Sequence, residues 1–228
     1  IIPGARPGLY AITLTGAERS FTYWRGDAAA RQLASDAASL EKSLENQALV
    51  YFSGITLAIL DDAARNTLLA AVAKARADGS LVAFDPNYRP RLWRRREEAQ
   101  TAILDALAVT DIALPTFPDE QMLFGDAAPQ KTAERLGRLV AEIVIKNGEE
   151  PALIAANGIL QPVPAMHVAA PVDTTGAGDS FNGAYLAARL AGHFPTEAVL
   201  RAHRVAAAVV QVRGALAPFE TLRTAFED

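Results

Sequence analysis

Short apolar runs alternate along this chain with longer stretches in which alanine and leucine return at helical spacing among polar residues. Leu9 to Leu14 and Arg19 to Arg25 read as two strands around the turn Thr15-Gly16-Ala17-Glu18, a hairpin. Ala28 to Leu44 keeps a helical period after Asp27 as its cap. The apolar strand Ala48 to Phe52 passes through a turn at Ser53-Gly54 to a helix from Leu60 to Ala77. The strand Leu81 to Phe84 ends in the polar run Asp85-Pro86-Asn87-Tyr88-Arg89-Pro90-Arg91, and a helix reaching Leu107 and a strand from Asp111 to Leu114 follow. Glu142 to Ile145, Ala152 to Ala156 and Ile159 to Val163 are further strands, the last two around Asn157-Gly158. A glycine turn opens a helix ending near Gly192, and Pro195 starts a last long helix to about Val212.

Repetition of strand and amphipathic helix is the signature of an α/β fold with a mostly parallel sheet covered by helices. Ligands in such folds bind beyond the carboxyl ends of the strands, where the polar segments after Phe52, Phe84, Leu114 and Ile145 fall. With 228 residues, 50% of them hydrophobic, the chain can bury a substantial core as one domain. A net charge of -4 gives no overall attraction to nucleic acid or an anionic membrane. The absence of cysteine excludes disulfides and thiolate metal sites and fits a reducing cytosol. No apolar run is long enough to span a bilayer and no secretory leader opens the chain, so a soluble cytoplasmic protein is expected.

The run Asp173-Thr174-Thr175-Gly176-Ala177-Gly178-Asp179-Ser180-Phe181-Asn182-Gly183 joins a polar glycine turn to an acid and then to an apolar helical pattern. Two glycines let a backbone approach a ligand closely, and the unpaired N–H groups of a helix start stabilise negative charge. Asp179 beside them can take a proton from an attacking hydroxyl, which together suggests phosphoryl transfer. Taken alone, the turn reads equally as a helix cap. Tyr10, Tyr23, Trp24 and Arg25 make the hairpin aromatic, as in a packed strand, and the Arg25 fork suits a carboxylate. Arg94-Arg95-Arg96 before Glu97-Glu98 reads as a solvated helix start. His167, His193 and His203 have no metal spacing, and neither the Gly-rich P-loop nor the dinucleotide fingerprint is present.

The glycine-turn run resembles the signature of the ribokinase-like (phosphofructokinase-B type) carbohydrate kinases, and the Phe84 to Trp93 segment is similar to the matching loop of their 2-keto-3-deoxygluconate kinase branch. The resemblance runs from Gly8 to Gly214. It implies a three-layer Rossmann-type core over residues 27–228 and a small β lid over 8–26. It further implies that Gly176, Ala177 and Gly178 form an anion hole and Asp179 is the base. Tyr10, Tyr23, Arg25 and Arg89 would contact the sugar acid. Asn87, Tyr88 and Arg89 would lie near the nucleotide phosphates, as would Lys146 and Gly148, although Lys146-Asn147-Gly148 reads equally as an ordinary hairpin turn. ATP and Mg2+ are the implied cofactors. Thr116 stands where the family has an asparagine of its metal-organising motif, and either Asp119 or Glu120 supplies the acid, so the metal ligands are unknown. The implied activity is phosphorylation of 2-keto-3-deoxygluconate at its 6-position, with a kinase of a neutral sugar or a silent sugar-acid sensor as alternatives. A homo-oligomer paired through lids is expected, with no nucleic-acid or membrane partner. Set against the family, Ile1-Ile2-Pro3-Gly4 is expected to begin within the fold, after its first strands and a Gly/Asn-rich sugar-binding segment.

Overall fold

The computed structural model describes residues 2–15, 18–214 and 216–227, except for the side chains of 12–15 and 18–21. Two sheets are present among these residues. Strands β1 (Leu9–Thr15) and β2 (Glu18–Trp24) form an antiparallel pair in which Tyr10 faces Tyr23. Gly16 and Ala17 of the expected turn lie outside the described residues.

The larger sheet holds β3 (Leu49–Ser53), β4 (Leu81–Asp85), β5 (Ile112–Ala113), β6 (Glu142–Ile145), β7 (Ala152–Ala156) and β8 (Ile159–Val163), in that spatial order. The first four are parallel, and β7 and β8 are added as antiparallel hairpins. Helices cover both faces because the parallel strands are apolar on both. On β4, Val82 and Phe84 enter one core while Ala83 enters the other. The first layer holds α1 (Ala37–Leu44), α2 (Gly54–Ile59), α3 (Asp62–Ala77), α4 (Arg96–Ala108), α5 (Phe117–Phe124) and α6 (Pro129–Leu136). The second holds α7 (Ala177–Leu190), α8 (Pro195–Val209) and α9 (Phe219–Glu227).

Several expected bounds are corrected. The helix expected over Ala28 to Leu44 is a short 3-10 turn, Ala29–Gln32, followed by α1. Its cap is Asp36 rather than Asp27, because the Asp36 carboxylate accepts from the backbone N–H groups of Ala38 and Ser39. Asp61 likewise caps α3 by accepting from Ala64 N–H at 2.8 Å, which starts that helix at Asp62 rather than Leu60. The expected turn at Ser53-Gly54 is the start of α2. Helices α5, α6 and α9 were not foreseen, since eight or nine residues are too few for a clear helical period.

Candidate active site

The glycine turn is built by its own backbone. Gly176 caps α7 with φ 80°, a left-handed conformation that glycine adopts without a Cβ penalty. Asp173 holds the approach, accepting from Thr175 N–H at 2.8 Å and from Gly214 N–H at 3.0 Å. The Ala177 N–H closes the turn onto the Thr174 carbonyl at 3.3 Å. Gly178 and Asp179 stand in the first turn of α7, where backbone N–H groups have no intrahelical acceptor. Asp179 is the acidic residue of that turn.

This turn forms one wall of a cavity of about 570 Å³ at the carboxyl ends of β3 to β6. Gly176, Gly178 and Asp179 line it from α7; Asn87 and Arg89 line it after β4, Thr116 and Asp119 after β5, and Lys146 after β6. Tyr10, Tyr23 and Arg25 face them from the hairpin. The Arg25 guanidinium lies 5.3 Å from the Tyr10 ring centre and 4.7 Å from that of Tyr23, within cation–π range. Arg89 is held differently, donating from Nη1 to the Tyr88 carbonyl at 3.0 Å and to Asp119 at 3.4 Å.

Three expected site residues do not line this cavity. Tyr88 is buried in the core of the first helical layer. Ala177 and Gly148 line a neighbouring cavity of about 210 Å³, walled by Met166, Val168, Pro171, Ala206 and Val210 and including His203. Of the two candidate acids, Asp119 is at the main cavity, and burial pushes its carboxyl above the ordinary value against the pull of Arg89. Glu120 points away, fully buried, with Oε2 accepting from Arg135 Nη2 at 2.7 Å. Burial pushes it up to about 7.

Sequence reasoning names Lys146 at the phosphates but not its partners Asp85 and Asn182 on the floor of the site. Asp85, Lys146 and Asn182 are all buried there. Lys146 Nζ donates to Asp85 Oδ2 at 3.0 Å and to Asn182 Oδ1 at 2.9 Å. Asn182 Nδ2 donates to Asp85 Oδ2 at 2.7 Å and to the Tyr51 hydroxyl at 3.1 Å. Burial, then the negative charge of Asp85, push the Tyr51 hydroxyl above its ordinary value. The available signal is Asn182 itself, an amide among Phe181, Ala184, Tyr185, Leu186 and Ala188 on the buried face of α7.

Among the described residues no group of three or more His, Asp or Glu side chains could hold a metal ion, and no helix is long and apolar enough to cross a membrane. A family model, pfkB family carbohydrate kinase, matches residues 1–222. The 2-dehydro-3-deoxygluconokinase of Dickeya dadantii (strain 3937) is 45% identical over 223 residues, covering 95% of this chain and 72% of that protein. A putative ribokinase II from E. coli, solved in complex with ATP and Mg2+, is 26% identical with a TM-score of 0.78, over 96% of this chain and 70% of that one. The 2-dehydro-3-deoxygluconokinase of Thermotoga maritima superposes with a TM-score of 0.83 at 23% identity, over 99% of this chain and 74% of that one, a likeness of fold.

Proposed function

The chain belongs to the pfkB family of carbohydrate kinases, and from that premise we propose that it transfers the γ-phosphoryl group of ATP to the 6-hydroxyl of 2-keto-3-deoxygluconate, also called 2-dehydro-3-deoxygluconate. The observation that carries this reading is one cavity in which the glycine turn and Asp179 stand opposite Arg25, Tyr10 and Tyr23. Asp179 takes the hydroxyl proton as the sugar oxygen bonds to the γ-phosphorus and the bond to the bridging oxygen breaks, releasing ADP. The backbone N–H groups of the turn stabilise the charge on the transferring group. Arg25 receives the sugar-acid carboxylate, with Tyr10 and Tyr23 beside it. Asn87, Arg89 and Lys146 serve the phosphates.

The apolar cavity beyond Ala177 takes the nucleobase, next to Gly148. Of the two candidate acids Asp119 is the one at the cavity and would hold Mg2+, directly or through water, since this ion binds through one or two carboxylates plus substrate phosphates and keeps several waters. Bound with ATP, the ion supplies neutralisation of phosphate charge. Residues 8–26 act as a lid over a core of 27–228. The exposed Leu9 and Trp24 on that hairpin support a homo-oligomer paired through it, and the cysteine-free chain suits the cytoplasm.

An ATP-consumption screen of the full-length protein against sugar acids and neutral sugars tests the reading, with turnover expected on the sugar acid. Asp179→Asn should cut turnover at least ~100-fold while ATP and sugar still bind. Near-normal turnover in that variant would remove Asp179 as the base.

A further inference from the structure

Asn182 lies three residues after Asp179 and four after Gly178, so the three share one face of α7 at its start. It is 1% exposed, and a buried amide needs partners for its donors and its acceptor. They come from three strands. Tyr51 belongs to β3, Asp85 closes β4, and Lys146 directly follows β6. These strand ends carry the segments that face α7 across the cavity.

A leucine has as many side-chain heavy atoms but makes none of these bonds, and would leave Tyr51, Asp85 and Lys146 each short of a partner. What the polar contacts provide is direction, because each bond fixes a distance and an angle that apolar packing leaves freer. Two of the three Lys146 donors engage Asp85 and Asn182, so the ammonium is held in place. It stands close under the glycine turn, since a Cβ added at Gly178 would lie 3.9 Å from Lys146 Nζ.

We propose that Asn182 is a positioning residue for phosphoryl transfer: it holds the Lys146 ammonium beneath Gly178 and fixes the first turn of α7, and with it Asp179, against the loop that follows β4. Its effect on rate rests on the kinase reading given above. Its effect on the turn does not.

The test compares the full chain with Asn182→Leu and Asn182→Asp. Asn182→Leu keeps the number of side-chain heavy atoms and removes all three hydrogen bonds. Its kcat should fall roughly 10- to 100-fold, with KM for ATP and for the sugar acid little changed, because misalignment is felt in the transition state. Amide hydrogen exchange at Ser180, whose N–H donates to the Gly176 carbonyl at 2.8 Å, should speed up by more than any fall in melting temperature accounts for. Asn182→Asp supplies the internal rescue. Its new carboxyl faces Asp85, the Tyr51 hydroxyl and the Lys146 ammonium; burial and the like charge of Asp85 favour its protonated form against the pull of Lys146, and only when protonated can it donate as Asn182 does. The ratio of variant to wild-type kcat should therefore rise as pH falls from about 8 to 6. A flat ratio would overturn the proposal, and this readout holds even where Asn182→Leu does not fold. Unchanged exchange at the α7 start would overturn it too, as would a loss of kcat that merely follows a loss of melting temperature. A wild-type protein that phosphorylates no sugar would instead sink the kinase reading, while the exchange measurement would still decide the positioning.

Discussion

At the scale of single residues, the site depends on one close approach that no side chain reveals. A Cβ at Gly54 would lie 1.9 Å from the carbonyl oxygen of Pro86, well inside any contact distance. Pro86 stands between Asp85, on the floor of the site, and Asn87 on its wall. Asn87 has φ 35°, and its N–H donates to Asp85 Oδ1 at 3.0 Å. Gly54→Ala should therefore push the loop after β4 out of register, lower kcat/KM and cost about 1–3 kcal/mol of stability as an overpacked core does. Urea unfolding and steady-state kinetics on one preparation would check it, and an unchanged midpoint would show that the loop yields freely. Nothing in the letters Ser53-Gly54 tells which carbonyl will meet them, so the sequence supports only a turn there. The glycine turn before Asp179 is different, because its chemistry lies within adjacent residues and can be read in place. The floor network could not be read so, since its Asn182 to Tyr51 bond joins residues 131 apart in the chain.

Between elements, α5 and α6 are tied by one guanidinium serving two carboxylates. Arg135 Nη2 donates to Glu120 Oε2 at 2.7 Å and to Asp126 Oδ2 at 2.6 Å, and Glu120 Oε1 has no hydrogen-bond partner. With Asp126 to neutralise Arg135, burial favours the protonated form of Glu120 and raises it from 4.5 to about 7. A carboxyl raised on folding binds more protons in the native than in the unfolded chain, so its contribution to stability is present below about 4.5 and is lost as pH rises through about 7. The loss is on the order of 3 kcal/mol. Glu120→Gln should flatten the fall of melting temperature between about pH 5 and 8, and a parallel fall in both proteins would assign it to other groups. This clamp was hidden in the sequence because both helices are too short to announce themselves. By contrast β7 and β8 have the bounds read from their apolar runs around Asn157-Gly158, where strand and turn chemistry agree. Ala28 to Leu44 shows the opposite case, in which a continuous helical period was cut by the local capping of Asp36.

Across the whole molecule, the two arginines expected to meet the sugar acid come from different sheets' surroundings and are held in different ways. Arg25 follows β2 of the hairpin and stacks with Tyr10 and Tyr23, and among the described residues it has no carboxylate partner. Arg89 belongs to the loop after β4, and its Nη1 is already engaged by Asp119 and the Tyr88 carbonyl. A sugar-acid carboxylate entering the cavity thus meets one guanidinium ready to receive it and one shared with an acid. A charge-assisted hydrogen bond contributes about 1.5–3 kcal/mol, so losing the Arg25 fork should reduce kcat/KM on 2-keto-3-deoxygluconate by roughly one to two powers of ten. Arg25→Lys should show this loss, because an ammonium keeps the charge and not the paired geometry. On a neutral hexose the same variant should lose little. Arg89→Lys should weaken both substrates alike, since its work is done on the Asp119 and phosphate side of the cavity. Steady-state kinetics of both variants on both substrates decide the matter. An equal loss at Arg25 would mean that its guanidinium only stiffens the hairpin against its tyrosines, and that recognition of the carboxylate lies elsewhere in the cavity.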